Sequence, residues 1–244
     1  MAVRIPHLPY FFLDTILFGK HSLAISAQIV LQHIIGPERE SSFQLNGHEF
    51  YCYTSQKVFF ERGNYEREVL RALQPYLPAD AVVYDVGANI GYWVVRLADS
   101  CKWVVAFEPS PVNLAWLRRN TERLANVIVS DAAVSSYAGS IRMVEDGTQS
   151  RVGSGNLEVR TITLDGFAGP APTLIMIDVE GHAGEVLQGA QQLLSTHMPT
   201  VIVELHDDQE RGQVEKHLLG LQYGIHPIEH ARSYPYHIVA NANK

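Results

Sequence analysis

The sequence predicts a doubly wound α/β fold, in which helices cover both faces of a mostly parallel sheet. Short apolar segments alternate with helical segments from residue 81 onward. A glycine-bracketed turn, Gly87 to Gly91, follows the first apolar segment. Acidic side chains follow successive apolar segments, at the strand ends where ligands bind in folds of this kind.

The core elements can be assigned in chain order. We predict parallel strands at 81–87, 103–109, 126–135, 173–181 and 200–206, and helices from the glycine turn to 98 and at 110–124, 182–195 and 207–221. Ser110 is the predicted N-cap of the second helix, with Pro111 at its first position. An extra strand pair is predicted at 140–144 and 157–164, and a closing antiparallel pair at 224–229 and 236–240.

Residues 1–78 are predicted to form an extension packed on the core domain of residues 79–244. An apolar helix is expected between Phe12 and Ile34, a hairpin around Asn46 and Gly47, and a helix over 64–77. The uninterrupted apolar part, 22–35, is too short to span a membrane. We therefore expect the N-terminal helix to dock on its own domain, or to touch a membrane surface near a lipid-linked substrate.

Composition narrows the function classes. The chain has 244 residues and a net charge of −7, which argues against a nonspecific nucleic-acid partner. It contains two cysteines, too few for a disulfide framework, which favours a cytoplasmic location. No signal-peptide pattern opens the chain.

The first three strand ends predict a site for an adenosine compound. Asp85, Gly87, Asn89 and Gly91 form the first turn, where glycine and asparagine tolerate a left-handed backbone. Glu108 follows the second strand, 23 positions after Asp85, where an acid commonly binds ribose hydroxyls. After the third strand, Asp131 is placed to meet the adenine amino group, and Ala132 adjoins it.

The same turn indicates which adenosine compound it is. A P-loop would need Gly-Lys-Ser/Thr, and a dinucleotide fold would need Gly-x-Gly-x-x-Gly, but the turn here is Gly-Ala-Asn-Ile-Gly. Asp85 at its mouth disfavours a pyrophosphate and favours a cationic ligand. S-adenosyl-L-methionine, which has a sulfonium and an ammonium but no phosphate, is therefore preferred over NAD.

The last two parallel strands end in a second polar group. Asp178 and Glu180 follow the fourth strand, and Glu204 and His206 end the fifth. If these strands are neighbours, the side chains converge and could deprotonate a hydroxyl, by general base catalysis or on a divalent cation. We predict no bound metal and take His206 as the base, oriented by Asp178 or Glu180, because histidine titrates near neutral pH.

Taken together, the motifs resemble a known family. The segments DVGANIGYW, FEPSPVN, SDAAVS, IMIDVEGHAGEVLQGA and IVELH occur in the order seen in FkbM-type methyltransferases. The resemblance covers about 62–206 and implies a class I methyltransferase fold with seven strands and an antiparallel last strand. It implies S-adenosylmethionine-dependent O-methylation of a sugar or natural-product hydroxyl, with Asp178, Glu180 and His206 near the acceptor. Ala183 stands where the family often has an acid.

Within the family, the length and N-terminal segment resemble rhizobial enzymes that O-methylate the fucose of lipochitooligosaccharide nodulation signals. The predicted acceptor is thus a glycan, a glycolipid or another small molecule with a free hydroxyl. Two other function classes remain open from the residues alone. They are an NAD-dependent oxidoreductase and a noncatalytic adenosine-binding module, which binding of S-adenosylhomocysteine or NADH would separate.

Overall fold

A computed structural model describes residues 39–61, 65–144, 150–228 and 234–242. The predicted N-terminal helix between Phe12 and Ile34 lies outside these residues. Among the described residues, no helix has the length and apolar character needed to span a bilayer.

The described strands are short and include every predicted segment. In chain order they are β1 (Glu40–Leu45), β2 (His48–Tyr53), β3 (Val82–Val86), β4 (Trp103–Phe107), β5 (Val127–Ser130), β6 (Ala133–Val134), β7 (Gly139–Val144), β8 (Arg151–Val152), β9 (Leu157–Ile162), β10 (Leu174–Ile177), β11 (Thr200–Leu205), β12 (Tyr223–Pro227) and β13 (Tyr236–Ala242). However, β8 was not predicted, and β6 separates from β5 to join a second sheet.

Helices occur at each predicted place among the described residues. They are α1 (Thr54–Phe60), α2 (Arg67–Leu73), α3 (Tyr92–Ala98), α4 (Pro111–Thr121), α5 (Ala183–Gln188), α6 (Gln191–His197) and α7 (Asp208–Gly220), with a 3₁₀ turn at Gln74–Tyr76. Of these, α1, which directly follows the hairpin, was not predicted. Ser110 and Pro111 take their predicted places at the start of α4, although the Ser110 side chain makes no capping hydrogen bond.

A seven-stranded sheet forms the centre of the fold, in the order β12-β13-β11-β10-β3-β4-β5. The strands β11, β10, β3, β4 and β5 are parallel, while β13 runs antiparallel to both β11 and β12. The doubly wound sheet, the neighbouring fourth and fifth parallel strands and the antiparallel last strand are all confirmed.

Each face of this sheet has its own hydrophobic core. Along β3, Val82, Tyr84 and Val86 pack with α5, α6 and α7, whereas Val83 packs with α2, α3 and α4 on the other face. Alternate side chains of a strand point to opposite faces, so the continuous apolar run of β3 serves both cores. Helices on both faces leave the carboxyl ends of the strands as the place for a site.

The predicted extra strand pair is confirmed as part of a second sheet, of order β6-β9-β7-β8. The single helix predicted over 182–195 was wrong, because the chain forms α5 and α6 with a break at Gly189. A Cβ at Gly189 would lie 2.1 Å from the Ser135 carbonyl oxygen. This close backbone approach requires glycine, which favours a break in a helix.

The hairpin of the extension is confirmed and is anchored to the core. Asn46 and Gly47 both have positive φ, as a two-residue hairpin turn requires. Phe50 of β2 makes edge contacts with Phe60 and with Tyr92 of α3, at centroid distances of 6.0 and 6.2 Å. The extension thus shares an aromatic core with the helix that follows the glycine turn.

Candidate active site

The turn after β3 has the left-handed backbone that its sequence predicts. Gly87, Asn89 and Gly91 have φ values of 92°, 52° and 92°. A Cβ at Gly87 would lie 1.7 Å from the carbonyl oxygen of Asp178, so no larger residue fits. The glycine therefore lets the turn approach the end of β10, which brings the first and fourth strand ends together.

Glu108 is buried directly behind this turn. Its side chain accepts hydrogen bonds from the backbone N–H groups of Asn89 and Ser110, both at 2.8 Å. Burial raises the pKa of Glu108 to about 7, against the effect of these donors. A carboxylate oxygen can accept a second hydrogen bond, so Glu108 can still receive ribose hydroxyls.

Asp85 is buried at the end of β3, with 4% of its surface exposed. Its Oδ2 atom has no hydrogen-bond partner among the described residues. Burial, followed by the nearby charges of Glu66 and Glu108, raises the pKa of Asp85 to about 7. An unsatisfied buried carboxylate oxygen is costly, and a cationic ligand would relieve that cost.

One cleft, of about 620 Å³ when its open mouth is included, joins the first strand ends to the fourth. Of the predicted site residues, it is lined by Gly87, Asn89, Glu108, Ala132, Asp178 and Glu180. Asp85, Gly91, Asp131 and His206 do not belong to this lining.

Asp131 points elsewhere, because Arg160 of β9 lies 2.9 Å from its Oδ1 atom. The hydrogen bond from Arg160 lowers the pKa of Asp131. Its proposed contact with adenine therefore requires that this exposed ion pair rearrange, while Ala132 beside it lines the cavity.

The second predicted group converges on His206. Its Nε2 atom lies 3.4 Å from carboxylate oxygens of Glu180 and Glu204 and 3.8 Å from Asp178. On the other side of the ring, Nδ1 lies 3.1 Å from Glu210. The expected convergence of strand ends is thus observed, with a fourth carboxylate that the sequence reading did not include.

These carboxylates correct the predicted role of His206. Although burial favours the neutral ring, hydrogen bonds to Glu204 and Glu210 and the charge of Asp178 raise its pKa to about 11. The imidazole is therefore protonated at neutral pH and is a poor proton acceptor. These contacts speak against the assumption that His206 titrates near neutral pH, on which its choice as base depended, and its catalytic role stays a prediction.

Asp178 and Glu180 border the cavity on the side of this imidazolium. Their side chains are 48% and 30% exposed, so both can meet a ligand. Loss of hydration in the crevice, then the charges of Glu204 and Glu180, raise the pKa of Asp178 well above its usual value. Glu180 is held in a left-handed conformation, with φ of 50°.

Glu210 is a residue of the candidate site that the sequence did not predict. It is 2% exposed and accepts hydrogen bonds from the backbone N–H groups of Ala183 and His206, at 3.0 and 2.9 Å. It therefore ties α7 to the start of α5 and orients the imidazolium. The available signal in the sequence was its position, four residues after His206 and in the first turn of the predicted helix.

Two residues of the flanking segments were also missed. The Glu66 side chain accepts a 2.7 Å hydrogen bond from the Trp93 indole, and its backbone is left-handed with φ of 46°. His237 of β13 is paired in register with Glu204. No local pattern marks either residue, because only the folded sheet brings 66, 204 and 237 together.

Two sets of donors are spaced closely enough to share one cation. They are Asp178, Glu204 and His206, and Glu66, Glu204 and His237, each with ligand atoms within 4.8 Å of one another. The absence of a metal, which was predicted from the sequence, stays a prediction.

Comparison with known proteins agrees with this geometry. Residues 85–235, more than half of the chain, match the family described as the Methyltransferase FkbM domain. The chain belongs to the FkbM methyltransferase family. This membership confirms the predicted family.

Several relatives are similar over part of their length. The hexuronic acid methyltransferase AglP of Haloferax volcanii is 31% identical over 161 residues, which cover 62% of this chain and 66% of AglP. The crystal structure of an FkbM methyltransferase from Methylobacillus flagellatus matches with a TM-score of 0.54 and 20% identity, over 67% of this chain and 44% of that one. The chain thus spans slightly under two thirds of the first relative and under half of the second.

A more distant match supports the fold alone. The ribosomal protein L11 methylase of Lactobacillus delbrueckii subsp. bulgaricus aligns with a TM-score of 0.50 and 14% identity, over 75% of this chain and 81% of that one. The predicted α/β class I methyltransferase fold is confirmed.

The observed residues fit the cofactor of this family. S-adenosylmethionine presents a sulfonium, an ammonium and ribose hydroxyls. Glu108, which lines the cavity, suits the hydroxyls, whereas Asp85 is buried behind the lining and favours the cationic part through its charge. A cavity lined by both Glu108 and Asp178 gives room for a ligand that spans the two strand ends.

Proposed function

We propose that the protein transfers a methyl group from S-adenosylmethionine to a hydroxyl of a sugar. The observation that carries the proposal is the single cavity that joins the glycine turn and Glu108 to Asp178 and Glu180. A cofactor held at the first two strand ends would face the carboxylates of the fourth within that cavity. Such a pocket can bring a methyl donor and an acceptor into contact.

We infer that the cofactor is held by residues of the first three strand ends. Asp85, buried behind the cavity wall, attracts its cationic part by charge, the backbone of Gly87 and Asn89 allows close approach, and Glu108 receives the ribose. Ala132 and Asp131 are proposed to adjoin the adenine. When bound, the cofactor supplies an activated methyl group, and the protein supplies alignment and a proton acceptor.

Asp178 replaces His206 as our choice of base. It lines the cavity, is 48% exposed, and has a pKa raised by burial and by the charges of Glu204 and Glu180, which makes its carboxylate a stronger base. Its carboxylate would accept the proton of the acceptor hydroxyl as the oxygen takes the methyl group. The imidazolium of His206 lies 3.8 Å from Asp178 and 3.4 Å from Glu180, where it holds both carboxylates in place.

The acceptor class is inferred from a relative. AglP is named for methylation of a hexuronic acid, which supports a sugar as the acceptor here. Fucose of a lipochitooligosaccharide, reached by an N-terminal helix at a membrane surface, remains a narrower proposal. The cytoplasmic location also stays a prediction.

The test is methyl transfer from labelled S-adenosylmethionine to a panel of glycans, with and without a chelator, followed by mass spectrometry. The panel should contain uronic acids and fucosylated lipochitooligosaccharides. A methylated sugar is expected. If the protein bound S-adenosylhomocysteine but methylated only peptides or nucleic acids, the sugar assignment would be wrong.

Substitution Asp178→Asn tests the proposed base. It should lower kcat by about 10²–10⁴-fold, because the amide cannot accept the proton, while the affinity for S-adenosylhomocysteine changes little. Asp99→Asn is the matched control, since Asp99 is exposed and pairs with His48 at 3.1 Å. A wild-type kcat in Asp178→Asn would remove Asp178 from the reaction.

A further inference from the structure

Arg151 stands out among the charged residues of the cavity. It lies in β8, which pairs antiparallel with β7 so that Arg151 faces Val144. Gly155 lets the following chain fold back tightly, since a Cβ there would lie 1.9 Å from the Met143 carbonyl oxygen. The second sheet thus carries Arg151 to the wall of the cavity.

The other charged groups around this cavity are mainly acids. Glu108, Asp178 and Glu180 line it, and Arg151 is the only lysine or arginine among its described lining residues. None of the ion pairs among the described residues involves Arg151. Its charge nevertheless reaches the site: burial raises the pKa of Glu180, and the charge of Arg151, after that of His206, opposes this rise.

A ligand carboxylate would face repulsion nearly everywhere in this cavity. The methionine part of S-adenosylmethionine has a carboxylate next to its ammonium group. The acids on the wall favour the ammonium and disfavour the carboxylate. An arginine can bind a carboxylate with two parallel hydrogen bonds, which makes it the suitable partner.

We propose that Arg151 binds the α-carboxylate of the cofactor and so orients its amino-acid end against the acids of the fourth strand end. This proposal rests on the proposed function and extends it to a residue of the second sheet. A carboxylate on a uronic acid acceptor would offer the same chemistry. The cofactor is favoured because every turnover brings its carboxylate into this cavity, whatever the acceptor.

Calorimetric binding of two ligands separates the possibilities. S-adenosylhomocysteine carries the carboxylate, and its decarboxylated analogue, the adenosyl thiopropylamine, lacks it. The wild type should bind S-adenosylhomocysteine about tenfold or more tightly than the analogue, the size of one charge-assisted hydrogen bond or more. Arg151→Gln should bind both ligands with similar affinity, and Arg151→Lys should recover part of the preference.

Arg142→Gln is the matched control, because Arg142 is an exposed arginine of β7 outside the cavity lining. It should keep the wild-type preference. An unchanged preference in Arg151→Gln, or an equal loss of affinity for both ligands, would overturn the proposal.

A second experiment tests whether Arg151 binds the acceptor instead. It compares the KM for a uronic acid glycan with the KM for the same glycan after its carboxylate has been reduced to an alcohol. If Arg151→Gln raised KM only for the acidic glycan and kept the cofactor preference, the carboxylate recognised would be that of the acceptor, and our assignment would be wrong. A wild-type protein that bound neither adenosyl ligand would instead refute the proposed function.

Discussion

Asp85 shows how a single residue can link binding to pH. The carboxylate is buried with one oxygen unsatisfied, and its pKa of about 7 means that much of it is protonated in the unliganded protein near neutral pH. Glu108 has a similar pKa, for the same main reason of burial. Binding a cation against Asp85 would favour its ionised form and release a proton.

We therefore expect the affinity for S-adenosylmethionine to rise with pH between 6 and 7. A group with a pKa of about 7 is roughly one tenth ionised at pH 6 and half ionised at pH 7, so it contributes about a fivefold gain. Calorimetry in buffers of different ionisation enthalpy measures the protons released. Asp85→Asn should weaken binding and flatten the pH dependence, leaving the part due to Glu108.

Affinity that is constant across this range, with no proton released, would show that Asp85 and Glu108 are already ionised without the cofactor. Gln44→Glu is a suitable control, because Gln44 is an exposed residue of β1 outside the cavity lining and the substitution also changes the charge by one unit. It should keep the wild-type pH dependence.

The sequence was informative about which residues end the strands, and less so about their protonation. Asp178, Glu180 and Glu204 could be placed because each immediately follows or ends an apolar strand. The pKa of His206 could not, since it depends on the number of carboxylates around the ring. One of these, Glu210, comes from the next helix and is fixed there by its bond to Ala183.

At the scale of elements, the turn after β3 depends on close backbone contact. Gly87 and Gly181 have the same φ of 92°, but they differ in surroundings. A Cβ at Gly87 would meet the Asp178 carbonyl oxygen at 1.7 Å, whereas a Cβ at Gly181 would meet nothing within 4 Å. Substitutions at these two glycines therefore distinguish the cost of steric overlap, which is present only at Gly87, from the cost of backbone strain, which both share.

Gly181→Ala should lower the free energy of unfolding by about 1–2 kcal/mol, the cost of a left-handed non-glycine residue. Gly87→Ala should cost more and should also weaken S-adenosylhomocysteine binding, because β3 and β10 must separate. Urea unfolding and calorimetry measure the two effects. Equal losses of stability would mean that the close approach to Asp178 is not rigid.

Element boundaries follow from local signals when the reasons for them are local. The Asn46–Gly47 turn and the proline at the start of α4 were readable for that reason. The break between α5 and α6 was not, because it depends on the backbone of Ser135, more than fifty residues away in sequence from Gly189. Alternating patterns therefore gave the type of each element better than its continuity.

At the scale of the whole molecule, one side chain joins the hairpin to the core. Asn120 of α4 donates to the carbonyl oxygens of Tyr51 and Ile90, at 2.9 and 2.8 Å, and accepts a 2.7 Å hydrogen bond from the Tyr51 backbone. It is 5% exposed. It therefore links β2, α4 and the glycine turn.

Asn120→Ala should lower the free energy of unfolding by about 1–3 kcal/mol, because it leaves buried backbone groups unpaired. Hydrogen exchange should show faster opening of β1 and β2 than of the central sheet. Arg118→Ala, at an exposed position of the same helix, should have little effect on either measure. Uniformly faster exchange would mean that the hairpin and core open together.

The position of Glu66 and His237 has a consequence for how the domain can be shortened. Both lie close to Glu204, yet both lie outside the family match at 85–235. A chain trimmed to the matched residues would keep Glu204 but lose these two neighbours. The charge balance around the end of β11 therefore depends on segments that flank the family domain.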